Sequence, residues 1–172
     1  MTTATEETIN VWVGCLACYN EGRLTGEWVD ALEASEYVPC NLVGHEEWWV
    51  FDTNTPWITG ECSPSEAQAI AEAVEAIPDY IDVDAVQAYL EYWGTSLTDL
   101  DLSDFEDAYQ GAYYSVSAFI EELWDSCGYD SELPEWVLPY IDMDKWGRDV
   151  MYDYYDVTPK GVFDTVYIFQ SM

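Results

Sequence analysis

Between Arg23 and Lys145 the chain has no lysine and no arginine, and its 172 residues hold four such residues in all. Nucleic acid and anionic membrane surfaces are bound through Lys and Arg, so neither is a direct ligand of a chain with a formal net charge of −31. Histidine is nearly absent too. Any Ser-His-Asp or Cys-His arrangement would rest on His45 alone, and no GxSxG elbow occurs. His45-Glu46-Glu47-Trp48-Trp49 opens like a zinc-protease motif but lacks the second histidine four residues on. No apolar run approaches the roughly 18 residues of a membrane span. The polar, threonine-rich residues 1–8 lack the basic and apolar regions of a signal peptide and read as a frayed start, so a cytoplasmic protein is expected. Cysteine is sparse and odd in number, five in all, which fits reduced thiols better than a disulfide framework.

What is present is acid and apolar surface together. Residues 24–144 carry 28 aspartates and glutamates in 121 positions, out of 35 in the whole chain. High charge with few apolar residues means disorder, but 49% of this chain is hydrophobic and 16% aromatic, which is ample for a core. Self-repulsion of this size destabilises a compact state, so the acidity serves solubility or a basic partner.

Ile9, Val11, Val13 and Cys15 alternate with polar or small residues as in a strand with one buried face. Residues 46–51 and 38–43 are further strand candidates, and 27–33 a weak helix. Ser63 and Glu66 form a capping box with Pro64 at the first helical position, and Ala67, Ile70, Ala71, Val74 and Ile77 form the buried stripe behind it. Asp82 caps a second helix in which Val86, Tyr89, Leu90 and Trp93 face inward and which Gly94 ends. Ser103 and Glu106 repeat the box and open a long helix over residues 103–128, with Phe105, Ala108, Tyr109, Ala112, Val116, Phe119, Ile120 and Leu123 on its apolar face. Residues 108–120 carry no charge, so the middle of that helix should be packed on most sides, with a close contact at Gly111. Pro134 can open a short helix and Asp142 another, while residues 150–155 and 162–169 flank a turn at 158–161 and read as a hairpin. This order predicts an α+β fold in three small parts: a β-rich unit over 1–62, a central helical unit over 63–102 and a C-terminal α+β unit over 103–172.

Three chemistries are weighed and set aside. Cys15 and Cys18 form a CxxC, and Cys40, His45 and Cys62 are conceivable partners, but structural zinc wants two tight ligand pairs and only one is evident. The plainer reading puts Cys15 in the core and Cys18 in the following turn, with no metal. Asp142, Asp144, Gly147 and Asp153 match positions 1, 3, 6 and 12 of an EF-hand loop, yet Trp146 replaces a ligand and Lys145 and Arg148 add positive charge. Paired carboxylates for glycoside hydrolysis are too abundant for any pair to be singled out, so no enzyme and no cofactor are expected.

The charge itself has a natural use. B-DNA carries one charge per about 1.7 Å, so 31 charges correspond to roughly 50 Å of duplex. Carboxylates three and four apart on a helix lie about 5–6 Å apart at Cβ, comparable to phosphate spacing. A rigid acidic protein of this kind would enter the basic groove of a DNA-binding enzyme. An acidic divalent-cation binder and an interaction module for another basic DNA-binding protein remain the alternatives.

Tyr19-Asn20-Glu21-Gly22 followed by Gly26 and Trp28, then Tyr140-Ile141-Asp142 followed by Gly147-Arg148-Asp149, then Gly161-Val162-Phe163, resemble the antirestriction protein ArdA family in register from residue 9 to 167. The resemblance implies an elongated three-part α+β protein, dimeric through its C-terminal part, that mimics bent B-DNA. Such proteins are carried by mobile elements or phages in bacterial hosts. The implied partner is a type I restriction-modification enzyme, held at its specificity and methyltransferase subunits, with restriction blocked and modification blocked more weakly. The expected partner-binding surface is dispersed over Glu27, Asp30, Glu33, Glu46, Glu47, Glu66, Glu72, Glu75, Asp79, Asp82, Asp84, Glu91, Asp99, Asp101, Asp104, Asp107, Glu121, Glu122 and Asp125. The motif residues themselves read as structural: Gly22, Gly26 and Gly147 for permissive dihedrals, Trp28 and Tyr140 for packing, and Arg148 for pairing with nearby acids. Residues 1–8, Cys15, Cys18 and the residues after Tyr167 depart from the family pattern and leave a local role for the thiols open.

Overall fold

The computed structural model describes residues 8–171; residues 1–7, all but the last of the start expected to fray, and residue 172 lie outside the described residues. The fold is α+β, and the chain divides into two compact units, one from Met1–Ile81 with Ser96–Asp99 and the other from Asp82–Thr95 with Leu100–Met172.

The first unit is organised by β1 (Asn10–Cys15), the middle strand of an antiparallel sheet in the order β2-β1-β3. Its alternation buries Val11, Val13 and Cys15, as the sequence predicts. A short helix α1 (Leu16–Asn20) follows, then β2 (Gly26–Asp30), a 3₁₀ helix (Ala31–Glu36), β3 (Trp48–Thr53) and α2 (Pro64–Glu75). Gly26 faces Gly14 on β1 so closely that an added Cβ would stand 2.3 Å from the Val13 carbonyl oxygen, so steric closeness requires glycine there. The weak helix expected over 27–33 is instead β2 running into the 3₁₀ helix. Trp28 and Val29 suit the pleat, and Asp30 starts the new turn by accepting from the Leu32 amide. The strand expected over 38–43 is irregular chain, since Pro39 lacks an amide and residues 37–47 pair with no strand. On α2 the Ser63 hydroxyl caps the Glu66 amide at 3.2 Å, and Ala67, Ile70 and Ala71 join Val11, Val13, Ala31, Ala34 and Val50 in one core. A 3₁₀ turn (Leu97–Asp99) completes the unit.

The second unit contains α3 (Val83–Trp93), α4 (Leu102–Ala108), β4 (Tyr109–Tyr113), α5 (Val116–Cys127), α6 (Tyr129–Glu132), a 3₁₀ turn (Leu138–Tyr140), α7 (Met143–Val150), β5 (Tyr154–Val157) and β6 (Val166–Gln170). The last two form the expected C-terminal hairpin, with narrower bounds because residue 150 still belongs to α7. The sheet order is β4-β6-β5. The single long helix expected over 103–128 is thus two helices with a strand between them. Gly111 has φ +139, a conformation closed to a helix and natural only to glycine, and Tyr109, Gly111 and Tyr113 alternate inward to pair with β6. The uncharged centre of the segment marks this strand. The first of those helices is capped by Asp101, which accepts from the Ser103 amide at 2.9 Å, and Ser103 itself lies one residue inside. Trp93, expected inside, is 58% exposed at the last position of α3 and donates from Nε1 to the Tyr155 hydroxyl. No regular α-helix forms at Pro134; the chain turns there and tightens into the 3₁₀ turn at 138–140. Tyr89, Phe105 and Phe169 meet at ring separations of 5.2–6.0 Å and make the centre of this core.

Candidate partner-binding surface

The acids reach the surface because the helices that carry them bury their other faces. Among the described residues every aspartate and glutamate is exposed except Asp30 and Asp82, which are half-buried N-caps. In the first unit Glu66, Glu72 and Glu75 lie on the outer face of α2, Glu27 on β2, Glu33 on the 3₁₀ helix, Glu46 and Glu47 in the chain before β3, and Asp79 and Asp99 in turns. In the second unit Asp84 and Glu91 lie on α3, Asp104 and Asp107 three apart on α4, and Glu121, Glu122 and Asp125 on α5 at three and four spacing. Asp82 and Asp101 serve their helices as caps, so part of the nominated set has a structural task. Two hydrogen bonds from Ser103, one from its hydroxyl and one from its amide, hold the Asp101 carboxyl below its usual range.

How these carboxylates are held matters more than where they are. Only three ion pairs form among the described residues: Arg23 with Glu21, Lys160 with Glu91 at 2.8 Å, and His45 with Glu21 at 3.8 Å if the imidazole is protonated. Arg148, expected to pair with nearby acids, forms none; it lies in the last turn of α7, where a cation meets the negative end of the helix. Neutral donors take the place of cations. The Tyr37 hydroxyl donates to Glu27 at 3.3 Å, Tyr109 to Asp82 at 3.2 Å, Tyr113 to Glu122 at 3.2 Å, and the Trp124 indole to Asp130 at 2.8 Å. A lysine in those positions would cancel the charge it fixed, whereas a phenol or indole fixes the carboxylate and leaves its charge intact. Burial first, and then the neighbouring carboxylate, raises the pKa of Tyr37, Tyr109 and Tyr113, so the phenols stay protonated donors.

The carboxylates themselves do not gather into a cation site. Among the described residues the one group of three or more potential metal ligands is Cys15, Cys18, Cys40 and His45, whose ligand atoms all lie within 4.8 Å of one another. Of the three conceivable partners of the CxxC, Cys40 and His45 are brought to it by the irregular chain over 37–47; Cys62, the third, lies instead in the core beside Val50, where burial pushes its thiol up to about 11. The EF-hand spacing has no loop to act in, since residues 143–150 are helical. Nor is any helix among the described residues long and apolar enough to cross a membrane.

The family model of the antirestriction protein ArdA matches residues 11–164. The chain belongs to the ArdA antirestriction family. No curated protein matches it. The ArdA motif residues occupy varied positions in the fold. Tyr19 stacks on Phe51 at 4.7 Å, Asn20 ends α1, Glu21 caps it, and Gly22 turns the chain with φ +79. Gly26 and Gly147 have ordinary dihedrals, contrary to expectation, and stand in close contacts instead: Gly26 against the backbone of β1, and Gly147 where α7 packs on α5, so that a Cβ there would stand 2.7 Å from Ile120 Cδ1. Asp142 caps α7 through the Lys145 amide at 3.0 Å, and Asp149 is exposed near its end. Trp28 and Tyr140, expected to pack, are 51% and 82% exposed. Trp28 stands on β2 opposite Trp12, and Tyr140 on the turn before α7, so backbone pairing and turn geometry place these residues with much of each ring in solvent.

Proposed function

We propose that this ArdA-family protein inhibits type I restriction-modification enzymes by occupying the DNA groove built by their specificity and methyltransferase subunits, blocking restriction and, more weakly, modification. The observation that carries the reading is the un-neutralised surface: the described carboxylates are exposed with two exceptions, ion pairs are three, and several acids are held by phenols and an indole instead of by cations. Solubility alone is served by mixing both signs, whereas a groove lined for phosphates is matched by one sign fixed in place. The dispersal of the carboxylates favours this reading over that of a divalent-cation binder, which would need several oxygens converging on one point.

The protein acts in this reading as a binding inhibitor, without cofactor or catalysis, in the bacterial cytoplasm. Self-association is assigned to the C-terminal unit, where Trp136, Tyr140, Tyr152 and Phe163 are 73–97% exposed and offer apolar surface for a second copy. The test is a plating assay in which unmodified phage infects restricting cells with and without the gene. Restored plaque formation supports the proposal. Undiminished restriction at confirmed expression contradicts it.

A further inference from the structure

The strand β1 and the helix α1 bring Cys15 and Cys18 together, and the chain over 37–47 turns two residues back toward them. That chain has no helix or strand, and Cys40 is its only buried residue, at 8% exposure; Tyr37 at its start packs against the core, while Val38, Leu42 and Val43 further along are about half to fully exposed. Beyond Tyr37 the loop leaves its valines and leucine in water and buries a thiol and most of an imidazole, so little apolar packing holds that part of it. His45 Nδ1 stands 3.4 Å from Cys15 Sγ, 3.4 Å from Cys18 Sγ and 3.7 Å from Cys40 Sγ, while the Cys18 and Cys40 sulfurs are 3.7 Å apart. One ring nitrogen has a single proton or a single lone pair and can satisfy one sulfur, so hydrogen bonding does not account for its closeness to all three. A tetrahedral ion does. Zinc bonds of about 2.3 Å to sulfur and about 2.0–2.1 Å to nitrogen give tetrahedron edges of about 3.8 Å between sulfurs and about 3.6 Å between sulfur and nitrogen.

From this geometry we propose that Cys15, Cys18, Cys40 and His45 bind one Zn²⁺, which clamps the 37–47 loop onto β1 and α1. The surroundings fit the task. The Cys18 amide donates to Cys15 Sγ at 3.4 Å and the Leu42 amide to Cys40 Sγ at 3.5 Å, bonds that favour thiolates. The free His45 nitrogen, Nε2, faces the Glu21 carboxylate at 3.8 Å, the orientation in which an acid fixes the tautomer that presents Nδ1 to a metal. A disulfide is the competing use of these thiols, but the Cys18 and Cys40 sulfurs stand well beyond the bonded distance of about 2.05 Å, and all five cysteines are free. The donor set is three soft thiolates and one imidazole, which selects zinc over the hard cations that carboxylates take. The clamp also fixes the backbone of Glu46 and Glu47, two exposed acids that directly follow the ligand His45.

The test uses the full chain, purified reducing and without chelator at physiological salt with excess Mg²⁺ to suppress loose binding to the acidic surface. Elemental analysis should find one zinc per chain, and exchange for Co²⁺ should give the intense visible absorption of a tetrahedral site with thiolate charge transfer. Cys18→Ser and Cys40→Ser should lose the metal, Cys62→Ser and Cys127→Ser should keep it, and Glu21→Gln should weaken binding about tenfold. Because the wild-type stoichiometry and cobalt spectrum do not depend on any variant folding, they decide the matter alone. Substoichiometric zinc with only the weak spectrum of octahedral cobalt would overturn the site.

Discussion

The two units meet the same surface demand with different interiors. The first buries small aliphatic residues, Val11, Val13, Ala31, Ala34, Val50, Ala67 and Ala71, between one sheet and one helix, and adds a thiol and imidazole cluster at the end of β1. The second is built on rings: Tyr89, Phe105, Tyr109 and Phe169 in one group, Phe119 with Tyr113 and Tyr154 in another, and Trp124 with Tyr129 and Trp146 in a third. The difference bears on how charge is displayed. A tyrosine or tryptophan at the edge of a core buries its ring and offers a neutral donor at its rim, so the aromatic unit anchors Asp82, Glu122 and Asp130 without a single lysine. The aliphatic unit has few such rims, Tyr37 toward Glu27 being one. In a chain with four lysines and arginines, aromatic richness therefore serves the surface as well as the core.

This contrast can be tested by substitution, and the largest effect should come from the aromatic core. Phe105→Ala, at a site 1% exposed and in contact with three rings, should cost about 3–5 kcal/mol in a denaturant melt, and Val13→Ala in the first unit about half that. Equal losses would remove the distinction. Next come the two tight glycines. Gly26→Ala would press a methyl onto the backbone of β1 and should cost about 1–3 kcal/mol, while Gly147→Ala meets the Ile120 side chain, which can shift where a backbone cannot, and should cost less than Gly26→Ala in the same melt.

A smaller effect should follow from Tyr109→Phe, which leaves the ring and removes the donor to Asp82. We expect a loss of about 1–2 kcal/mol with net charge unchanged at neutral pH. Burial, and then Asp82, raises the Tyr109 pKa, so its contribution is complete below the ordinary phenol range of about 10 and is lost as pH rises through the higher folded value. Alkaline melts of wild type and Y109F should accordingly converge only at high pH. The smallest effects belong to the dispersed acids. Glu72→Gln, Asp107→Asn or Glu121→Gln alone should change stability by less than about 0.5 kcal/mol and inhibition little, while neutralising many together should abolish inhibition and raise stability by relieving self-repulsion. One such change that removes all inhibition in the plating assay would point to a discrete site.

Much of this was legible in the sequence wherever short-range chemistry decides the structure. The alternation of Val11, Val13 and Cys15, the Ser63 and Asp82 caps, the Asp142 cap and the closing hairpin all follow from neighbours within a few residues. The strand β4 did not, because the apolar positions of α4 and α5 happen to stay in helical phase across the seven residues between them, and only Gly111, with Tyr109 and Tyr113 two residues to either side, betrays the break. The exposure of the acids follows from their chemistry, but the donors that hold them do not, since Tyr109 and Asp82 are 27 positions apart. The thiol cluster was half legible: the CxxC announces one pair, and Cys40 with His45, five positions apart on an irregular loop, needed the fold to bring them across.

The central claim is that fixed, un-neutralised charge competes with DNA. The direct measurement is displacement of a labelled duplex from a type I methyltransferase core by the purified protein at several salt concentrations. Displacement that weakens steadily as salt rises is the expected result. Failure to displace the duplex, or displacement indifferent to salt, would contradict the account.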